Sequence, residues 1–355
     1  MARLDRTVVA RAPGRVNLVG DHTDYNQGLA LPMAIDLATE VTVRLGPHAG
    51  TPGWLALTST LDGGTARIPV PEGTPLPAGA PPWATLAAVV VAQVHPADGG
   101  TGRVTSTVPT GAGLSSSAAF TVALARALGT TAPPAELART CRRAESAVGA
   151  DVGLMDPLVI AAATAGQAML IDFADLSTVP VPVPADLAVV VVHSGQPRLL
   201  AGGDRPYAAR RAECDAAARQ LGRPLGRATE ADVAAVTDPV LRRRARHVVT
   251  ECRRVREMAD ALRRHDLAAA GQVMAESHRS LAGDFAASTP AVDALVDDLD
   301  GRPGVFGARM TGGGFGGCVV ALAGPGAVDP AEWPGRAWLV TPSGGATVHA
   351  TGGGR

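Results

Sequence analysis

Residues 14–28, GRVNLVGDHTDYNQG, concentrate side chains that can form ion pairs and hydrogen bonds. Arg15, Asp21, His22 and Asp24 fall within ten residues, together with the only two asparagines of a chain that contains no lysine. Carboxylates accept hydrogen bonds, whereas guanidinium groups donate them and imidazole can do either. This density of polar groups therefore predicts a binding site for a ligand with many hydroxyl groups.

Residues 109–119, PTGAGLSSSAA, have the composition of an anion-binding loop. Glycines let backbone N–H groups converge, and the N-terminus of the following helix adds unpaired N–H groups and a positive dipole end. The loop is not a Walker motif, which requires a lysine. A glycine turn with a serine helix cap is the structural alternative. The residues expected to hold a triphosphate are Gly111, Gly113, Leu114, Ser115, Ser116 and Ser117.

Composition excludes several classes of protein. The chain has 355 residues, enough for two domains, and its 46% hydrophobic content excludes a disordered protein. Its 32 arginines face 33 acidic residues, which argues against nucleic-acid binding. The four cysteines lack CxxC spacing, so neither disulfides nor a zinc site is predicted and a cytoplasmic location is expected. No signal peptide or membrane span is indicated.

Hydrophobic patterns predict strands alternating with helices in both halves of the chain. The first strand is expected to break at Pro13–Gly14, and the proline-rich residues 178–187 are the predicted domain junction. Residues 312–317 form a second glycine loop, which taken alone is typical of a flexible turn. The tail after residue 342 is expected to be loosely ordered.

Taken together, these segments resemble the motifs of the GHMP small-molecule kinases, and the first resembles the signature of the galactokinase family. The similarity extends to YAARRAEC, HVVTECRRV, HRSLAGDFAASTPAVD and GARMTGGGFGGCVVAL, in the order that this family shows. It implies an α+β fold with a ribosomal-S5-like α/β domain over residues 1–180 and a ferredoxin-like α+β domain over residues 181–355. The active site is expected in the cleft, with the loop 312–317 lining it from the second domain.

The resemblance assigns Asp156 as the catalytic aspartate and Arg15 as its partner. A guanidinium in contact holds a carboxylate ionised and stabilises charge on a transferred phosphoryl group. Because Pro157 disfavours helical geometry in the residue before it, Asp156 is also expected to cap the helix that follows. A purely structural helix cap is the alternative.

Further roles implied by the resemblance concern the metal and the sugar. Ser117 and Glu145 match the Mg²⁺ ligands, although Glu145, next to arginines on a helix, could instead form a solvated ion pair. His22 could instead be a structural imidazole. The residues that match sugar-contact positions are Asp21, His22, Asp24, Gly153 and Tyr207.

The sequence also departs from the family pattern. Asp21 replaces the usual glutamate, which leaves open which sugar hydroxyl it binds, and the interval from Glu145 to Asp156 is one residue shorter than usual. Pro157 replaces the common glutamine, and the segment HRSLAGDF lacks an arginine usual after its leucine.

The function that the resemblance implies is phosphorylation of the anomeric hydroxyl of D-galactose by a monomeric, Mg²⁺-dependent enzyme that uses ATP. The alternatives are a related kinase for another sugar, such as arabinose or an N-acetylhexosamine, and a non-catalytic sugar and ATP sensor. The sensor is disfavoured because the loop retains SSSAA.

Overall fold

A computed structural model describes residues 5–60, 63–150, 152–196 and 206–351. It has the α+β architecture expected from the sequence, with two main sheets in different halves of the chain. The elements of the first half are β1 (Arg6–Asn17), β2 (Leu29–Ala30), β3 (Pro32–Leu45), β4 (Trp54–Ser59), β5 (Gly64–Pro69), α1 (Pro82–Val94), β6 (Gly100–Ser106), α2 (Ser116–Ala127), α3 (Pro134–Ala147), α4 (Met155–Ala162), β7 (Gln167–Asp172) and β8 (Ser177–Pro182). Those of the second half are β9 (Ala188–His193), α5 (Pro206–Leu221), α6 (Glu230–Val233), α7 (Pro239–Arg263), α8 (Leu267–Ser280), α9 (Pro290–Asp300), β10 (Val305–Met310), β11 (Cys318–Ala323), β12 (Ala337–Val340) and β13 (Thr347–Thr351).

The first sheet has six strands in the order β13-β1-β3-β6-β4-β5. Strand β1 does not break at Pro13 as expected; it continues to Asn17 through a register shift between Pro13 and Arg15. A bulge of this kind absorbs the irregular residues and re-aims the side chains that follow it. Helices α2 and α4 pack on β1, so its end is buried and Arg15 is only 3% exposed.

The second half is built on the antiparallel sheet β10-β11-β9-β12, covered by helices. The 25-residue helix α7 joins the two halves because its apolar residues enter both cores. Met258 belongs to the core of the first half, whereas Val248 belongs to that of the second. The helix also packs against β2 and β8, next to the signature segment.

Residues 343–351 of the C-terminal tail are not loosely ordered, contrary to expectation, and residues 352–355 lie outside the described residues. Strand β13 pairs with β1 in the first sheet, and Ser343 N donates to Ala34 O at 2.9 Å before the strand begins. The chain crosses between the sheets over residues 183–187, within the predicted junction. A division into residues 1–180 and 181–355 therefore omits the return of the last strand to the first sheet.

Candidate active site

The signature segment folds into a tight loop between β1 and β2. Gly20 has φ 100° and His22 has φ 64°, so the chain turns twice through left-handed conformations. Thr23 Oγ1 donates to Gly20 O at 2.8 Å and to Leu29 O at 2.6 Å, and Asn26 Nδ2 donates to His22 O at 2.8 Å. These bonds satisfy the buried carbonyls and fix the directions of the side chains between them.

Arg15 and Asp156 form a bidentate ion pair. Arg15 Nε donates to Asp156 Oδ1 at 2.8 Å, and Nη2 donates to Oδ2 at 2.6 Å. The third guanidinium nitrogen, Nη1, donates to Gly113 O at 2.7 Å in the glycine loop. One buried arginine thus connects the candidate catalytic carboxylate to the candidate nucleotide loop.

Asp156 does not cap helix α4, so that prediction is wrong. The helix begins at Met155 with Leu154 as its N-cap residue, and Asp156 lies within the first turn. Pro157 is accommodated because a first-turn N–H has no partner in the helix. The position still places the carboxylate near the positive end of the helix dipole.

The glycine loop ends at Ser115, a serine with a left-handed backbone conformation. Gly111 and Gly113 have φ of 76° and 81°, and Ser115, at the N-cap of α2, has φ 63°. No side chain caps α2, which contradicts the alternative of a serine cap. The Ser115 hydroxyl instead donates to Asp156 Oδ2. The first amides of α2 therefore have no side-chain cap, as an anion site requires.

One cavity between the two halves gathers all the predicted sugar contacts. Its lining also includes residues of the loop after β10. The lining residues are Arg15, Asp21, His22, Asp24, Val152, Gly153, Met155, Asp156, Tyr207, Gly312 and Gly313. The predicted nucleotide residues and Glu145 are not part of this lining. The Arg15–Asp156 pair therefore lies at the side of this cavity that is hydrogen-bonded to the glycine loop.

The Asp24 carboxylate lies close against the backbone of Gly153 in this cavity. Any Cβ on Gly153 would lie 1.5 Å from Asp24 Oδ2, so only glycine leaves room for the carboxylate. Burial, and to a smaller extent the Asp156 charge, raises the pKa of Asp24 to about 6. The carboxylate is thus held poorly solvated and ready to accept hydrogen bonds from a ligand.

His22 packs against neighbouring rings and also faces the cavity. Its ring lies 4.3 Å from that of Phe285 and 5.4 Å from that of Tyr207, and its Nδ1 lies 2.9 Å from Tyr25 Oη. The imidazole is therefore packed as a structural residue, while it also lines the cavity.

Asp21 is held by the protein on three sides and is only 2% exposed. Its Oδ1 accepts from Asn17 Nδ2 at 2.9 Å and from Gly312 N at 3.0 Å, and its Oδ2 accepts from Arg309. Most of its acceptor capacity is therefore used within the protein.

Glu145 is not a solvated ion pair, because it is only 4% exposed. Among the described residues no arginine forms a salt bridge with it; Thr121 Oγ1 lies 3.4 Å from its Oε1. Burial, and then the Asp156 charge, raises its pKa to about 8, an increase that the nearby hydroxyls of Thr121 and Ser117 oppose. A buried carboxylate beside a hydroxyl, both hard oxygen donors, fits Mg²⁺.

Comparisons with known proteins identify the family of this chain. A model of the galactokinase galactose-binding signature matches residues 2–45, and models of the GHMP kinase N- and C-terminal domains match residues 84–166 and 258–332. Galactokinase of Mycobacterium tuberculosis is 43% identical over 334 residues, covering 89% of each chain. The chain belongs to the galactokinase family. Human galactokinase is 42% identical, covering 88% of this chain and 82% of that protein.

Structural similarity supports the same assignment. The crystal structure of Lactococcus lactis galactokinase complexed with galactose matches with a TM-score of 0.84 and 26% identity, over 96% of this chain and 95% of that one. This galactokinase family member is therefore a sugar kinase with the two-domain α+β fold that the sequence predicted. No helix in the described part of the chain is long and apolar enough to cross a membrane.

Three buried charged residues, Glu251, Arg254 and Arg309, lie behind the cavity of this galactokinase relative, and the sequence alone did not indicate a role for them. Glu251 accepts from Gly20 N at 2.9 Å and from Arg254 Nε at 2.7 Å, and lies 4.0 Å from Arg309. Burial opposes ionisation of Glu251, but Arg254 and His247 outweigh it and lower its pKa to about 2. Arg309 is an isolated charged residue in the otherwise apolar start of GARMTGGG, and this pattern in the sequence could have indicated a buried, functional arginine.

Proposed function

We propose that this protein transfers the γ-phosphoryl group of ATP to the anomeric hydroxyl of D-galactose, forming α-D-galactose 1-phosphate and ADP. The observation that carries the proposal is the bidentate Arg15–Asp156 pair, which lines the polar cavity and is hydrogen-bonded to the glycine loop. A sugar in the cavity and a triphosphate on the loop would meet at this pair.

The proposed reaction uses few protein groups. The anomeric oxygen attacks the γ-phosphorus while the bond to the β-phosphate oxygen breaks, and the hydroxyl proton passes to Asp156. Arg15 orients the Asp156 carboxylate through its two hydrogen bonds and offsets charge on the transferred group. The amides of the loop and of the first turn of α2 hold the phosphates. Most of the catalysis would be positioning and electrostatics.

Glu145 and Ser117 would hold Mg²⁺, with phosphate oxygens and waters completing the coordination. The ion would supply charge neutralisation on the phosphates. We also propose that the enzyme acts as a cytoplasmic monomer, without a nucleic-acid or membrane partner.

Asp21 motivates a second candidate, a kinase for another sugar such as arabinose or an N-acetylhexosamine. Three protein donors already occupy its carboxylate, so its contribution to a sugar hydroxyl is limited. A sugar that lacks the corresponding hydroxyl would lose little at this position.

An ADP-release assay with galactose, arabinose, glucose and N-acetylgalactosamine tests both candidates. We expect the highest kcat/KM with galactose, and a loss of at least about 100-fold in Asp156→Ala. The exposed Asp297 on α9 provides a matched control, Asp297→Ala, which should leave turnover unchanged. Full turnover in Asp156→Ala would remove Asp156 from the mechanism, and a preference for another sugar would favour the second candidate.

A further inference from the structure

The hydrogen bonds to Asp156 are distributed unequally between its two oxygens. Oδ2 accepts from Arg15 Nη2 and from Ser115 Oγ, whereas Oδ1 accepts from Arg15 Nε. Each carboxylate oxygen offers about two lone pairs. Among the described residues, therefore, Oδ2 has both of its lone pairs occupied and Oδ1 retains one.

Ser115 makes its contact from a backbone position that serine rarely adopts. Its φ of 63° lies in the left-handed region, which glycine and asparagine enter more readily. Strained backbone at a site persists where the surroundings hold it and often has a functional reason. Since this hydroxyl does not cap α2, its contact with Asp156 is the interaction that a glycine here would lose.

We propose that Ser115 is a positioning residue that occupies the second lone pair of Asp156 Oδ2 and so leaves Oδ1 to accept the proton of the sugar hydroxyl. The serine is also the last residue of the glycine loop before α2, so the loop that holds the phosphates would orient the carboxylate as well. This inference rests on the proposed function, because it requires Asp156 to be the proton acceptor.

The test compares Ser115→Ala with Ser115→Gly. Both remove the hydroxyl, but glycine also relieves the left-handed backbone, so a folding defect in one is separated from loss of the contact. We expect kcat to fall about 10- to 100-fold in both variants, since a misplaced reacting group costs rates of this order. The dissociation constants of ATP and galactose, measured by calorimetry, should change by less than about 3-fold.

Ser177→Ala is the matched control, because this exposed serine on β8 lies outside the cavity and the glycine loop. We expect it to change neither kcat nor ATP binding. An unchanged kcat in the Ser115 variants would overturn the inference, as would a loss in Ser115→Ala that Ser115→Gly does not share. A weakening of ATP binding as large as the loss of kcat would make Ser115 a phosphate ligand instead.

Failure of the proposed function would look different. If Asp156→Ala keeps full turnover, the proton acceptor is another group, whatever the Ser115 variants do. If Asp156→Ala is inactive and the Ser115 variants turn over normally, only the role of Ser115 is lost.

Discussion

Gly153→Ala is the smallest change expected to impair sugar binding without touching a polar group. The added Cβ would lie 1.5 Å from Asp24 Oδ2 and 2.6 Å from its Cγ, whereas ordinary contacts begin at 3.4 Å. The backbone of Gly153 is not left-handed, so alanine is conformationally acceptable there. The Asp24 carboxylate must therefore retreat by about 2 Å, farther than the tolerance of a hydrogen bond.

The magnitude follows from the contact that is lost. A hydrogen bond to a charged group contributes about 1.5–3 kcal/mol. Because about 1.4 kcal/mol corresponds to a tenfold change in affinity, the dissociation constant of galactose should rise about 10- to 100-fold. ATP binding should be unchanged, since Gly153 lines the sugar cavity and lies apart from the glycine loop.

Calorimetric titration with galactose and, separately, with ATP measures both effects. Gly283→Ala is the control, because a Cβ there meets nothing within 4 Å and the backbone is not left-handed. In an Asp24→Ala background, Gly153→Ala should add nothing, since the group it displaces is already absent. Wild-type galactose affinity in Gly153→Ala, or full additivity of the two changes, would refute the reasoning.

Three further predictions concern charge. Galactose should bind more tightly as pH rises through about 6, because burial raises the pKa of Asp24 to about 6 and the ionised form accepts sugar hydroxyls; calorimetry on Asp24→Asn should show no such dependence, and its persistence would exclude Asp24 as the cause. Burial lowers the pKa of His247 to about 4 from 6.5, so its contribution to stability is complete above pH 6.5 and is lost as pH falls through 4. Between pH 4 and 6.5 the free energy of unfolding in urea should therefore change less in His247→Gln than in wild type, by on the order of 3 kcal/mol. An equal change in both proteins would contradict a buried, neutral His247. Arg309→Met should cost about 3–5 kcal/mol of unfolding free energy and Asp21→Asn in addition should recover part of it; a loss below about 1 kcal/mol would show that the pair is solvated.

Local sequence patterns predicted the elements whose apolar residues repeat regularly. The helix predicted from WATLAAVVVAQVH is α1, and the buried strand in LAVVVVHSG is β9. The pattern could not show that β1 continues through Pro13, because the bulge there depends on pairing with β3. Likewise, β13 follows two glycines in the sequence, and it is ordered because it pairs with β1, a strand more than 300 residues away in the sequence.

Within the site, motif resemblance selected residues that the fold brings together, but it could not determine their contacts. The motif places Ser115 among the residues that hold phosphate, and it could not indicate that the hydroxyl of this left-handed residue bonds to Asp156 and does not cap α2. Glu145 was expected to be solvated in one interpretation, and only packing against α2 shows that it is buried. Neither the conformation nor the depth of burial can be obtained from residue type alone.

The buried charges behind the cavity suggest why the signature loop depends on the second half of the chain. Buried ion pairs contribute little net stability, because desolvation offsets most of the attraction, and the bonds of these pairs instead position the loop. Arg309 on β10 bonds to Asp21 and to Leu18 O, and Glu251 on α7 bonds to Gly20 N. The loop that presents Asp24 to the cavity is thus fixed from two elements of the other half. Asp21, the residue that departs from the family signature, is also the one through which Arg309 holds this loop.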